Sequence, residues 1–93
     1  MRYRIDYTDE VRLALRTLPG RYRQRARRII EALVDNPRPS HAGALRGLPD
    51  YFRIRLNGWR IVYRVGDESL VVVILRVGQK TGPETYAGLP DLN

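Results

Sequence analysis

The arginines that could do chemistry in this 93-residue chain are concentrated in one segment, YFRIRLNGWRIVYRV, at residues 51–65. Its central Asn57-Gly58 favours positive φ at both middle residues of a type I′ turn, which predicts a two-residue hairpin loop. That loop sets Arg55 opposite Arg60, and the alternation of side chains places Arg53 on the same face. Because like charges placed opposite each other are destabilising, the cluster indicates an anion site, and a phosphate backbone suits several arginines. The alternative is a solvated basic sheet face.

The same register predicts a core face on the other side of the hairpin. Leu56 faces Trp59, Ile54 faces Ile61 and Phe52 faces Tyr63, so these six side chains share one face. The pairing of Arg53 with Val62 completes the arginine face.

RNA is the phosphate polymer that can be cut without a metal ion, because its 2′-OH is a nucleophile next to the phosphate. The reaction needs a base, cations that hold the phosphorane charge, and an acid for the leaving 5′-oxygen. Arginine suits the middle role, since it stays charged and is a poor acid or base. A tyrosine near the arginines is a candidate base, because surrounding cations lower a phenol pKa, and Lys80 is a candidate acid. Glu84 would share a face with Tyr86 in an extended segment and is a rival base; Tyr86 could instead pack against the sheet edge.

Composition narrows the class of protein. Seventeen basic against ten acidic residues give a formal charge of +7, which indicates nucleic acid or an acidic protein as the partner. The absence of cysteine excludes disulfides and thiolate zinc sites and fits a reducing cytoplasm. The sequence has no apolar run of about 18 residues and no apolar signal region near its N-terminus. With no Gly-rich phosphate loop, no HExxH and no obvious carboxylate pair, we expect neither a metal nor a cofactor.

The remaining elements follow from periodicity. Residues 3–7 alternate as a short strand, Thr8 or Asp9 supplies an N-cap, and two helices with apolar stripes are separated by Pro19-Gly20 and end near Asn36-Pro37. A long connection over residues 36–50 follows, then the hairpin, then the apolar strand LVVVIL ended by Gly78. The pattern β-α-α-β-β-β predicts an α+β fold, with a helical hairpin on one face of a small twisted four-stranded sheet. Residues 1–93 are expected to form one domain.

The second helix, predicted over residues 21–34, begins with five arginines in RYRQRARR. Positive charge at a helix N-terminus opposes the helix dipole. Arg23 and Arg27 are therefore candidate contacts for an RNA backbone, with an acidic partner or a solvated face as the alternatives. His41, in the long connection, has no second imidazole or carboxylate pattern near it and is expected to be a surface residue.

The order of elements and four blocks resemble the RelE/ParE toxins of bacterial toxin–antitoxin pairs, and the RelE branch most closely. The blocks are LRGLPDYFRIRL, GWRIVYRV, the apolar strand VVVIL and the closing VGQKTGPETY, so the resemblance covers residues 3–86. It implies a ribosome-dependent mRNA endoribonuclease that works by 2′-OH attack without a metal. It also implies a cytoplasmic protein with an antitoxin partner that folds on binding. Acidic residues in that antitoxin would suit the formal charge of +7 on this chain.

The resemblance implies a role for each matching position. Arg53 and Arg55 stand where the branch has two basic residues, usually Lys, and Arg60 stands where it has the arginine that binds the scissile phosphate. Lys80 stands where Arg is common as the leaving-group acid, and Tyr86 matches the tyrosine that stacks on the base and assists proton removal. Arg in place of Lys keeps the charge but weakens proton transfer, and the hairpin loop is shorter than in the closest members. A ParE-like inhibitor of DNA gyrase and a non-catalytic member that binds RNA or only its antitoxin are the competing functions.

Overall fold

The computed structural model describes residues 2–79. Within that range two helices and five strands follow one another as β1 (Arg4–Tyr7), α1 (Asp9–Thr17), α2 (Gly20–Ala32), β2 (Gly43–Ala44), β3 (Tyr51–Leu56), β4 (Trp59–Gly66) and β5 (Val71–Gln79). The strands form one sheet in the order β1-β5-β4-β3-β2. β1 runs parallel to β5, and the other neighbours are antiparallel. The α+β class and the helical hairpin on one face of the sheet are confirmed.

The predicted number of strands is wrong, because the sheet has five rather than four. The additional strand, β2, lies in the connection between α2 and β3 and pairs Gly43 with Arg53 and Ala44 with Phe52. Two residues are too few to show a period-2 pattern, so this strand exists only through its pairing with β3. The prediction that Gly78 ends the last strand is also wrong, since β5 continues to Gln79.

The helices begin and end at local signals. Thr8 Oγ1 accepts a hydrogen bond from the Val11 N–H at 3.1 Å, and acidic residues fill the first turn of α1, where they complement the helix dipole. α1 ends before Pro19. Arg23, from α2, donates through Nη2 to the carbonyl oxygens of Arg16 and Leu18 at 3.1 and 3.0 Å. Its guanidinium thus satisfies the C-terminal end of α1 and joins the two helices.

The hairpin has the predicted register over its whole length. Leu56 pairs with Trp59, Arg55 with Arg60, and the pairing continues to Phe52 with Tyr63. At the turn, Asn57 has a φ of 54°, whereas Gly58 does not have a positive φ, so the expectation of positive φ at both positions holds only for Asn57. Asn57 also contacts α2, where its side chain, together with the Arg21 guanidinium, lowers the pKa of Tyr22. The hairpin tip is therefore held against the helical layer.

The two faces of the sheet have different cover. On one face, Ile54, Leu56, Ile61 and Tyr63 form a buried core with side chains of both helices. On the other, Val62 is fully buried in a smaller cluster with Leu45 and Leu48, which the connection before β3 supplies. Among residues 2–79, a loop covers part of the arginine face of the hairpin. No helix within residues 2–79 is long and apolar enough to cross a membrane.

Arg38 fixes the long connection. Its Nη1 and Nη2 donate to the two carboxylate oxygens of Asp67 at 3.0 and 2.9 Å, and Nη2 also donates to Asp50 at 2.7 Å. The guanidinium lies over the Phe52 ring, with Cζ 5.5 Å from the ring centroid. The Tyr3 hydroxyl donates to Asp67 at 2.7 Å. One guanidinium thus joins the connection to the turn between β4 and β5.

Acid should weaken this network. The hydrogen bond from Arg38, and then that from Tyr3, lowers the pKa of Asp67 below its usual value. A lowered carboxyl pKa contributes stability that is present above the unfolded-state pKa and is lost as pH falls through the folded-state pKa. We expect the melting temperature to fall below about pH 4, with a weaker fall in Asp67→Asn. Thermal unfolding by circular dichroism checks this, with the exposed neighbour Glu68→Gln as the control. Equal pH dependence in wild type and Asp67→Asn would contradict it.

Candidate functional site

Three arginines of the β3–β4 hairpin lie on the face of the sheet that is turned away from the helices. Arg55 and Arg60 are cross-strand partners, and Arg53 is two residues from Arg55 and pairs with Val62. Val62 belongs to the loop-covered cluster, which places all three arginines on that side. Directly paired residues have Cβ atoms about 5 Å apart, so their guanidinium groups can reach one bound anion together. The predicted grouping of Arg53, Arg55 and Arg60 is therefore what the fold produces.

The three arginines differ in exposure. Arg55 is exposed, whereas Arg53 and Arg60 are half-buried against the sheet. Nε of Arg53 is buried and has no hydrogen-bond partner among the residues that the structure describes. A buried donor without a partner costs free energy, and such groups require an explanation.

Two further arginines lie on the same face and were not predicted as part of the site. Arg64 pairs with Tyr51, and Arg76 of β5 pairs with Val62. Arg76 Nη1 lies 3.3 Å from Oε2 of Glu10 and donates to the Leu75 carbonyl at 2.8 Å, so an acidic side chain already partners it. The sequence could have indicated Arg64 through the hairpin register, but the position of Arg76 depends on a β-bulge between Val62 and Tyr63 that no local pattern signals.

Arg23 and Arg27 lie elsewhere. They line a groove of about 400 Å³ between α1 and α2, together with Tyr7, Arg12, Leu15, Arg16 and Ile30. Because the helices cover the opposite face of the sheet, this groove and the hairpin arginines are on different sides of the protein. The structure does not bring these two predicted groups together, and Arg23 is already engaged with the end of α1.

Lys80, Tyr86 and the rival base Glu84 lie outside the described residues. His41 is exposed, as expected for a surface residue. Within residues 2–79, no three His, Cys, Asp or Glu side chains lie together in a way that could hold a metal ion.

The described part of the site can hold an anion. Arginines in a half-buried patch bind phosphate oxygens with charge-assisted hydrogen bonds and remain charged throughout a reaction. They stabilise negative charge that develops on a phosphorus centre. The cationic sheet face of this small α+β fold can attract a phosphate-bearing or acidic partner.

The family of the protein follows from its similarity to known sequences. Residues 5–81 match the family described as "ParE toxin of type II toxin-antitoxin system, parDE". The "mRNA interferase toxin RelE" of Escherichia coli strain K12 is 33% identical over 89 residues, covering 94% of this chain and 93% of that protein. The chain therefore belongs to the ParE toxin family of type II toxin–antitoxin systems.

Solved structures agree with this assignment. A variant of the E. coli toxin RelE with two arginines replaced by alanine, in the free state, superposes with a TM-score of 0.81 at 31% identity and covers 92% of each chain. The toxin–antitoxin complex RelBE of E. coli has a chain with a TM-score of 0.75 at 32% identity, covering 83% of this chain and 95% of that one. The predicted resemblance to the RelE/ParE toxins is confirmed, and these relatives carry the RelE name.

The opposed charges make a prediction about stability. Replacing Arg55 by Gln removes one of two directly opposed cations, so we expect the free energy of unfolding to rise by about 0.2–1 kcal/mol. The gain should shrink as salt screens the repulsion in the wild type. Urea unfolding at low and high salt measures both effects, with the exposed loop variant Arg46→Gln as the control. An Arg55→Gln protein that is less stable than the wild type at low salt would show that the pair is not repulsive.

Proposed function

We propose that this protein is the toxin of a toxin–antitoxin pair and that it cleaves mRNA on the ribosome without a metal ion. The observation that carries the proposal is the grouping of Arg53, Arg55 and Arg60 on the sheet face that the helices leave uncovered. The E. coli relative named mRNA interferase toxin RelE supports the same reaction, since it matches nearly the whole chain.

The cleavage needs little from the protein beyond positioned charge and proton transfer. The 2′-oxygen bonds to the adjacent phosphorus as its proton leaves to a base, and the bond from phosphorus to the 5′-oxygen then breaks as that oxygen takes up a proton. Arg60 and its cross-strand partner Arg55 would hold the non-bridging oxygens, where negative charge accumulates. Arg53 would add a third cation from the neighbouring position on β3.

Proton transfer falls to residues beyond the described range. We assign the general acid to Lys80, whose ammonium can protonate the leaving oxygen, and the base to Tyr86, with Glu84 as its rival. A phenol close to several guanidinium groups has a lowered pKa, so a larger fraction of it is phenolate at neutral pH. Arginine does not serve as either group because it stays charged.

The partners follow from the family and the charge. The E. coli relative was solved as an intact toxin–antitoxin complex. We infer that this chain, with its formal charge of +7, binds an antitoxin rich in acidic residues and forms a hetero-oligomer with it. Because its substrate is ribosome-bound mRNA, we expect the protein to act in the cytoplasm.

Inhibition of DNA gyrase is the second candidate, because the matching family is described as ParE toxin. Such a function requires binding of a protein and no phosphate chemistry. The arginine grouping and the relatives named RelE favour cleavage. Expression without antitoxin separates the two, since cleavage produces new mRNA 5′ ends whereas gyrase inhibition induces the DNA-damage response with intact mRNA.

Two variants test the cleavage mechanism. We expect Arg60→Ala to lower the single-turnover cleavage rate of mRNA on programmed ribosomes by about 10²–10³-fold, because a donor to the developing charge is lost. Tyr86→Phe should lower the same rate by about 10²–10⁴-fold through loss of proton transfer. Both substitutions should also relieve the growth arrest that we expect when the wild-type toxin is expressed without its antitoxin.

The control for that experiment is Arg2→Ala, which removes an exposed arginine remote from the hairpin and should leave the rate unchanged. Circular dichroism must show that each variant remains folded. If Arg60→Ala and Tyr86→Phe both cleave at the wild-type rate, the proposed mechanism is wrong.

We also propose that Arg27, and with it Arg23, contacts an RNA backbone along the helical side. Replacing Arg27 by Ala should weaken binding of a single-stranded RNA oligonucleotide and reduce the slope of log K against log salt by about 0.7. Arg23→Ala should reduce binding similarly but also lower the melting temperature, since it removes two hydrogen bonds to the end of α1. Fluorescence anisotropy at several salt concentrations measures the slope. An unchanged slope in Arg27→Ala would remove this residue from the RNA contact.

A further inference from the structure

The guanidinium of Arg53 lies directly over Gly43 of the neighbouring strand. The two residues are partners in the β2–β3 register. A Cβ atom built on Gly43 would stand 2.6 Å from Nη2 of Arg53, 3.3 Å from Cζ and 3.7 Å from Nε. Carbon and nitrogen atoms in ordinary contact are about 3.5 Å or more apart. The space that any other residue would fill with its Cβ is thus occupied by the head of Arg53.

The backbone of Gly43 gives no other reason for glycine. Gly47 is the glycine with positive φ among the described residues, and Gly43 does not share that conformation. An alanine at Gly43 would therefore meet no backbone strain. The three atoms nearest to a Cβ built at Gly43 all belong to Arg53, so the main cost of a larger residue there comes from that side chain.

Shape rather than polar contact fixes Arg53 within the described residues. Nε is buried without a hydrogen-bond partner there, so no donor–acceptor pair in that range sets the orientation of its head. The surface beneath the guanidinium is the backbone of β2. That surface is itself held, because the Leu45 N–H donates to the Tyr51 carbonyl at 2.9 Å and Leu45 packs on Val62. A held surface under a long side chain selects its rotamer.

We propose that Gly43 is a positioning residue for phosphate binding: its missing Cβ lets the guanidinium of Arg53 lie over β2, beside Arg55 and Arg60. The inference rests on the proposed function and deepens it, since it names a residue that acts through Arg53 and not on the RNA. A single methyl group added at Gly43 displaces the positive charge of Arg53 without removing it.

The Gly43→Ala variant tests the proposal in the ribosome-dependent cleavage assay. The added Cβ must move the guanidinium by about 1 Å to restore ordinary contact distances, and a misplacement of that size can cost about 10²-fold in rate. We expect kcat to fall about 10–100-fold. KM for programmed ribosomes should stay within about twofold, because the positive charge that attracts RNA is retained. The melting temperature should change little, since the clash involves the end of a flexible side chain.

A double-mutant cycle separates positioning from general disturbance. Lysine has no second terminal nitrogen to meet the added Cβ, so Gly43→Ala should cost less than about twofold in an Arg53→Lys background. The matched control is Gly20→Ala, because nothing lies within 4 Å of a Cβ at that residue. Equal losses from Gly43→Ala in the wild-type and Arg53→Lys backgrounds, or a wild-type kcat in Gly43→Ala, would overturn the proposal.

A second measurement does not depend on cleavage. The Nε–Hε signal of Arg53 in a ¹⁵N–¹H NMR spectrum reports its surroundings directly. It should shift in Gly43→Ala and stay in place in Gly20→Ala. If the wild-type chain does not cleave mRNA but this signal shifts in Gly43→Ala, the proposed function is wrong. The claim that Gly43 positions Arg53 then still holds. An unchanged signal overturns the positioning claim whatever the activity.

Discussion

The pairing of Leu56 with Trp59 around Asn57-Gly58 is the constraint on which the rest depends. Because side chains alternate along a strand, that one pair fixes which residues of β3 and β4 enter the core and which face away. A slip by one residue would bring the arginines into the apolar layer and expose Ile54 and Ile61. The burial of those isoleucines against both helices thus holds Arg55 and Arg60 opposite each other.

The repulsion between Arg55 and Arg60 is tolerated because the two faces of the sheet are packed differently. The helical hairpin buries one face, while the other carries, in the part of the chain that the structure describes, a small apolar cluster and an arginine-rich surface. The connection that supplies Leu45 and Leu48 is held by Arg38, which is shared between Asp50 and Asp67. That network keeps β2 beside β3, and with it the backbone on which Arg53 rests. Stability on one side of the sheet thus supports an electrostatically costly surface on the other, as is common at functional sites.

Two separate surfaces of the described residues each carry a group of arginines. The hairpin arginines lie on the loop-covered face, whereas Arg23 and Arg27 line the groove between α1 and α2 on the helical side. The helical group is partly structural, since Arg23 closes the end of α1. Two surfaces suit a protein that makes two kinds of contact. The hairpin arginines would hold one phosphate, and the helical arginines would contact further RNA or an acidic partner. The chain belongs to a family of toxins of type II toxin–antitoxin systems, and an E. coli relative was solved in complex with its antitoxin.

The amino-acid sequence by itself determined the features that rest on short-range patterns. Alternation and the Asn-Gly turn predicted the hairpin register and the face shared by Arg53, Arg55 and Arg60. The two apolar stripes, with an N-cap at Thr8 or Asp9, predicted the helices. The roles of Lys80 and Tyr86 stay predictions. Only the tertiary structure decided the fifth strand, the Arg38 network, the place of Arg76 and the contact between Gly43 and Arg53. Each of these depends on residues that are distant in the chain and on packing that leaves no local periodicity, so no pattern within a few residues could signal it.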